Sequence, residues 1–291
     1  MQIHNEKLKL NLFRIKIYIT MKNAVYNFDN PKNEPVYSYL ENSKERIELE
    51  KELKRQSTAE IEIPVIIGGK EIYTGNTGKV VMPHNHRHVL ATYHKVGEKE
   101  VKMAIDAALK AKEEWMFLSW VERNSIFLKA AELISKKHRS LINAASMLGQ
   151  SKNIYQAEID SACEIIDFLR FNSSFVSQIY NNQPISKDEN LNRVQYRPLE
   201  GFVYAITPFN FTSIAGNLPT SVAMMGNTVI WKPATTALLS NYYLMKIYQE
   251  AGLPDGVINF LPGSGATISN IVLDHKYMAG IHFTGSTGTL N

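Results

Sequence analysis

The sequence predicts an α/β fold: a Rossmann-type parallel sheet with helices on both faces, preceded by a β-hairpin and a helical layer. Two observations predict the sheet. Strand-like runs recur at 201–207, 228–232, 257–261 and 280–284. Between them lie segments of helical spacing, such as Leu238 to Ala251, which closes on Gly252 as a C-cap signal. Strands alternating with helices are the mark of a sheet wound by right-handed crossovers.

The elements ahead of the sheet follow in order. Residues 1–21 stand apart. The first twenty hold four basic residues and one acid, without a compact apolar stretch and small-residue cleavage site. They read either as a leader or as a segment upstream of a second start at Met21. Residues 22–97 form an N-terminal segment, irregular to about residue 40. Ser43 is the N-cap of a charged helix over 44–55. Ile61, Ile63, Val65 and Ile67 alternate with their neighbours, and Gly68-Gly69 supplies a two-residue turn, so 60–74 reads as a hairpin. A third strand over 89–96 is expected nearby. From residue 98 the period turns helical, with Val101, Ile105, Ala108 and Leu109 on one stripe ending near Trp115. A second helix is expected over 121–148, broken near His138, and a third over 154–180. Three helices in succession predict a layer laid against the sheet, and 98–291 form its domain. Asn291 falls seven residues past the fourth strand run, where a helix should begin. The organisation therefore predicts a domain that is incomplete within this sequence, since a sheet lacking its last crossover leaves an open edge.

Composition excludes several classes. With 44% hydrophobic and 21% charged residues the chain is of the ordinary globular kind. No apolar run approaches the roughly 20 residues that span a bilayer. The net charge is +4, but Lys and Arg are interleaved with acids, as in Lys44-Glu45-Arg46, which describes a solvated surface and not a nucleic-acid stripe. The single cysteine, Cys163, cannot form an internal disulfide and suits a reducing compartment, read as cytoplasm with the mitochondrial matrix as the alternative.

In wound sheets ligands bind beyond the carboxyl ends of the strands. Four loops stand there: Thr207-Pro208-Phe209-Asn210, Lys232-Pro233, Pro262-Gly263-Ser264-Gly265 and Gly285-Ser286-Thr287-Gly288. An amide, an amine and two Gly/Ser-rich loops on one edge suit a nucleotide pyrophosphate, because glycine lets a backbone approach phosphate closely. The common dinucleotide fingerprint is absent, since Gly263-Ser264-Gly265 lacks the third glycine.

These strand-end motifs resemble the aldehyde dehydrogenase superfamily. The residues that carry the resemblance are Thr207 to Phe211, Gly226 to Pro233, Ala251 to Val257 and Phe283 to Thr287. Within the superfamily the resemblance is strongest to the enzymes of glutamate γ-semialdehyde, the Δ1-pyrroline-5-carboxylate dehydrogenases. It rests on Asn33 to Val36, Gln156 to Asp160, Ile166 to Asn172, Gln183 to Ser186, Leu199 to Val203 and Trp231. The resemblance implies that NAD is the cofactor and a small aldehyde the substrate. A cysteine thiolate attacks the aldehyde, hydride passes to NAD, and water activated by a glutamate hydrolyses the thioester. By that resemblance Asn210 supplies the amide for the developing oxyanion, and Lys232 holds the adenosine ribose. Thr207, Pro208, Gly263, Gly285, Ser286, Thr287, Gly288 and Thr289 contact the cofactor, and Phe211 and Glu164 line the aldehyde pocket. It also implies a homo-oligomer at full length, with the hairpin at 60–74 contributing. The pattern departs in two places. Thr235 stands where many relatives carry an acid that favours NAD over NADP. The family's catalytic glutamate and cysteine fall beyond residue 291, so the 291-residue chain is expected to be inactive. Two other readings stay open: a dehydrogenase of another aldehyde using NAD or NADP, and an inactive nucleotide-binding fragment.

Cys163 shares a helical stripe with Ile159, Ile166 and Arg170, which makes it a buried structural thiol and not the nucleophile. His84, His86 and His88 alternate, yet no Cys or carboxylate stands at ligand spacing, and no metal is expected.

Overall fold

In a computed structural model of the chain, residue 28 and residues 30–290 are described; the reading of residues 1–21 lies outside them. Helix α1 (Lys44–Thr58) starts on Ser43, whose Oγ accepts from the Arg46 amide at 3.4 Å. The run at 61–67 is not one strand. Pro64 has no N–H to give, and it separates β1 (Ile61–Ile63) from β2 (Val65–Ile67). The Gly68-Gly69 turn, with φ of 56° and 76°, then reverses the chain into β3 (Lys70–Ile72). Strand β4 (Thr77–Met82), which the sequence reading lacks, pairs antiparallel with β5 (Asn85–His94), and β1 pairs parallel with β5. These three strands form a separate small sheet.

Helix α2 (Glu98–Trp115) has the predicted bounds. The predicted break near His138 is a π-helical segment, Ile134–His138, between α3 (Trp120–Leu133) and α4 (Arg139–Gln150). A second π segment, Glu158–Cys163, divides α5 (Ile154–Ala157) from α6 (Glu164–Asn181). The wound part follows: β6 (Phe202–Ile206), α7 (Thr212–Met224), β7 (Thr228–Lys232), α8 (Leu238–Ala251), β8 (Ile258–Phe260), α9 (Gly265–Val272), β9 (Met278–Phe283) and α10 (Thr287–Leu290).

The large sheet has the order β3-β2-β8-β7-β6-β9. Its last four strands are parallel, as expected. The hairpin β2–β3 joins this sheet, because β2 pairs antiparallel with β8 at Ile66 and Phe260. Successive strand residues face opposite sides. Phe202, Tyr204 and Ile230 pack with α2 and α9 on one face. Ala205, Val229 and Trp231 pack on the other face against a core drawn from α3, α6, α7 and α8. The three successive helices thus do not share a layer. α2 lies mainly across the sheet from the other two, because its apolar stripe meets the opposite row of strand side chains. Strand order reverses at β6, which has β7 on one side and β9 on the other. That reversal is the switch point where such sheets bind ligands. Among the described residues, no helix is long and apolar enough to cross a membrane.

A buried ionic cluster ties the irregular segment before α1 to this helical layer. Glu158 is fully buried and forms an ion pair with Arg139. It also accepts from the Tyr37 amide at 2.8 Å, the Tyr39 hydroxyl at 2.7 Å and the Asn143 amide at 2.8 Å. Arg139 reaches Glu34 at 2.6 Å and lies 3.8 Å from the Tyr37 ring centre. Glu34 also accepts from Arg170 and, at 2.6 Å, from Ser135. Burial pushes both carboxylates up. For Glu158 the hydrogen bonds from Arg139, Tyr37 and Tyr39 and the Arg139 charge outweigh it, and for Glu34 those from Ser135 and Arg170 with the charges of both arginines. Both therefore titrate below their ordinary value of 4.5. A depressed carboxylate contributes stability above that value, and the contribution is lost as pH falls through the native pKa. Replacing Glu158 by Gln is expected to lower the unfolding free energy near neutrality by about 3–5 kcal/mol. It should also make the fall of stability shallower below about pH 4.5, as read by urea unfolding across a pH series.

Candidate active site

The carboxyl end of β6 runs straight into the first predicted loop. Thr207 and Pro208 are buried there. The Trp231 indole N–H donates to Thr207 Oγ1 at 3.0 Å, and the Thr207 amide donates to the Lys232 carbonyl at 3.2 Å. These bonds bind the end of β6 to the end of β7. The chain then turns outward. Phe209 and Asn210 are exposed, Phe211 is half-buried, and α7 begins at Thr212.

What holds this turn is a buried set of hydroxyls that the sequence reading missed. Ser161 Oγ donates to Ser146 Oγ at 2.6 Å, and Ser146 Oγ lies 2.7 Å from Thr212 Oγ1. Thr212 Oγ1 donates to Ser240 Oγ at 2.9 Å and accepts from the Gln150 amide at 2.9 Å. Leaving any of these groups unpaired would cost a desolvation penalty of about 1–3 kcal/mol. Four helical segments thereby converge on the residue after Phe211. Ser213, the next residue, donates to Glu164 at the head of α6. The two residues assigned to the aldehyde pocket, Phe211 and Glu164, are thus brought to the start of one helix. Scattered Ser and Thr have no periodicity, so only the fold reveals this set.

Lys232 ends β7 in register with Ile206. Burial pushes its ammonium below the ordinary lysine value, and no carboxylate acts against that. Such a group favours a ligand that accepts its hydrogen bonds. Beyond β8, the Val96 amide donates to the Pro262 carbonyl at 2.9 Å. A Cβ on Gly263 would stand 3.0 Å from Val96 Cγ2, so packing as well as loop shape calls for glycine there. Across the switch point, the Thr284 amide donates to the Ile206 carbonyl at 3.2 Å. Residues 285–289 are exposed, and Ser286 Oγ lies 2.8 Å from Thr289 Oγ1. The glycines 285 and 288, the hydroxyls of Ser286, Thr287 and Thr289, and the Lys232 amine are groups of the kind that suit the phosphates and ribose of a nucleotide.

Cys163 is buried on the second π segment. Its Sγ lies 3.1 Å from an Arg139 nitrogen and 3.6 Å from a Glu158 oxygen. Burial pushes the thiol up, the Glu158 carboxylate adds to it, and the result is about 12. This is no nucleophile. His84 Nδ1 is within hydrogen-bond distance of Ser151 Oγ, 2.8 Å, and His86 is exposed on β5. Among the described residues no group of His, Cys, Asp and Glu is placed to hold a metal ion.

The family model described as "Aldehyde dehydrogenase family" matches residues 73–291, and the chain belongs to that family. It is 50% identical over 258 residues to a probable delta-1-pyrroline-5-carboxylate dehydrogenase of Schizosaccharomyces pombe, covering 88% of this chain and 47% of the relative. It is 44% identical over 266 residues to the mitochondrial delta-1-pyrroline-5-carboxylate dehydrogenase of Dictyostelium discoideum, covering 91% and 48%. Among solved structures it is similar to the delta-pyrroline-5-carboxylate dehydrogenase of Mycobacterium tuberculosis bound with NAD, with 50% identity and a TM-score of 0.89 over 92% of this chain and 50% of that one. The chain spans about half the length of the curated relatives it matches.

The thiol yields a direct check. In the native chain at pH 8, Cys163 is expected to resist a chromogenic disulfide reagent and to react fully once guanidinium is added, since the thiolate is the reactive form. Prompt labelling of the folded chain would contradict its buried, protonated state.

Proposed function

We propose that the whole protein oxidises L-glutamate γ-semialdehyde to L-glutamate with NAD, a step of proline degradation, and that this chain supplies the cofactor edge and part of the aldehyde pocket. The observation that carries the reading is that relatives sharing 44–50% identity over nearly all of this chain are named for this substrate. The motifs outside the nucleotide loops support it as well. Glu34, Glu158 and Arg170, singled out by their likeness to that branch, meet in one buried cluster.

The nucleotide would be held by Lys232 at the ribose, by Gly285, Ser286, Thr287, Gly288 and Thr289, and by the backbone of Thr207, Pro208 and Gly263. When bound, it supplies the hydride acceptor. Asn210, exposed on the turn after β6, offers its amide N–H to the oxygen that gains charge as the aldehyde is attacked, a preorganised donor of the oxyanion kind. Phe211 and Glu164 line the aldehyde side. The attacking thiolate is assigned to the part of the protein outside this chain, because its one cysteine is buried and protonated, and the carboxylate base is assigned there by the resemblance. The 291-residue chain alone is accordingly read as inactive and the full-length protein as a homo-oligomer, with 1–21 a leader or an upstream segment, 22–97 the N-terminal segment and 98–291 the cofactor domain. The reducing compartment is read as cytoplasm. The mitochondrial matrix is the second reading, favoured by the Dictyostelium relative named mitochondrial.

Full-length protein should reduce NAD far faster with glutamate γ-semialdehyde than with simple aliphatic aldehydes; equal rates would refute the substrate assignment. Asn210→Ala should lower kcat by about 10²–10³-fold, and Lys232→Met should raise the KM for NAD by about tenfold with little change in the KM for aldehyde. Steady-state kinetics with each substrate varied in turn checks both.

A further inference from the structure

Beside the assigned pocket stands a cation outside the motifs that carry the resemblance. Helix α4 ends at Ser151, which has a left-handed backbone, φ 54°, uncommon for a residue other than glycine. The Ser151 hydroxyl is placed at 2.8 Å from His84 Nδ1, which fastens the turn to the loop between β4 and β5. The turn delivers Lys152 inward, so that its side chain is only 11% exposed. Among the described residues its ammonium makes two contacts. It donates to Asp160 Oδ2 at 2.5 Å, and it stands 4.0 Å from the centre of the Phe211 ring. Asp160 belongs to the second π segment, and Phe211 is the residue that opens α7.

Each part constrains the next. A cation within about 6 Å of a ring face is attracted by the ring quadrupole, more strongly when it is shielded from water. A lysine held by a carboxylate has few rotamers left, so the ring it touches is held too. The hydroxyl set under Thr212 fixes the backbone of the same turn, but it cannot fix the χ angles of Phe211. Lys152 can.

We propose that Lys152 is a positioning residue: anchored by Asp160, it sets the orientation of the Phe211 ring and through it the fit of the aldehyde's carbon chain. The inference rests on the reading of Phe211 as part of the aldehyde pocket. Lys152 acts on substrate fit and not on the bond-making step.

The test uses full-length protein with glutamate γ-semialdehyde and propanal as alternative substrates at saturating NAD. Lys152→Met keeps the aliphatic stem and removes the charge. It should raise the KM for glutamate γ-semialdehyde by about five- to tenfold, with kcat changed by less than about twofold and the KM for NAD unaltered. Lys152→Arg, which retains a cation able to lie over the ring, should restore most of the affinity. Asp160→Asn, which loosens the lysine, should give an intermediate KM, and it replaces Lys152→Met should that variant fail to fold by thermal melting. A wild-type KM in Lys152→Met, or a parallel loss in kcat, in the KM for NAD and in melting temperature, would overturn the proposal. Wild-type protein inactive on both aldehydes would overturn the functional reading and this inference with it. Wild-type protein active on propanal but not on the semialdehyde would overturn the substrate alone, and the same KM shift for propanal in Lys152→Met would still support the positioning role.

Discussion

The structure depends on a buried guanidinium. Arg139 is enclosed by Glu34, Glu158, the Pro35 carbonyl and the Tyr37 ring. Burying such a charge is costly unless every hydrogen-bonding direction is met, and removing one partner leaves the others stranded. The two carboxylates come from distant places, one from the segment before α1 and one from the second π segment. The positions of Arg139 and Glu158 follow from the local geometry of the helices. A π turn holds one extra residue, so it rotates every side chain after it. One π segment ends at His138, directly before Arg139, and the other begins at Glu158. The same second segment carries Asp160 and leads into Glu164. A single distortion therefore serves the ionic cluster, the lysine at Phe211 and the glutamate at Ser213.

The site divides its work between backbone and side chains. The strands give a rigid edge: Thr284 and Thr207 are both tied by amides to carbonyls on neighbouring strands, so the loops on either side of the switch point leave from fixed positions. The loops then offer glycines and hydroxyls, which can follow the outline of a ligand. Specific side chains are few, and each has support behind it. Trp231 braces Thr207, and Thr212 braces the turn that presents Asn210 and Phe211. Precision at the edge thus comes from buried residues behind the loops.

Much of this was legible in the sequence, and the reasons for the gaps are physical. The strand Thr228–Lys232 and the helix Leu238–Ala251 were readable to the residue, and the helix Glu98–Trp115 nearly so, because a largely buried strand and a long apolar stripe leave little ambiguity. The loops carrying Asn210, Lys232 and Gly285 were placed by following strand ends. Periodicity says which face of a helix is apolar but not which layer it joins, so the side on which α2 lies was out of reach. Pro64 interrupts the alternating run at 61–67, because it cannot donate to a strand ladder, and that outweighs the alternation of its neighbours. Strand β4 was hidden because its first residues, Thr77, Gly78 and Lys79, are exposed or half-buried and carry no alternation of apolar residues. Lys152 could not be found at all, for a lone lysine after a helix is indistinguishable from a solvated one until Phe211 is seen beneath it.

The hairpin β2–β3 has a bearing on how the chain reaches this state. Its place is beside β8, where the Gly68 amide donates to the side chain of Asn259, 191 residues away in sequence. No local contact can substitute for that pairing. During synthesis Val65, Ile66 and Ile67, all buried in the finished sheet, can pair at once with β3 but wait for β8 on their other side until that strand has emerged. Contacts of such separation slow folding, because loop closure must be met before the pairing gains anything. The hairpin that completes one side of the large sheet is made early and seated late, and in the interval the free side of β2 is an apolar segment open to wrong partners.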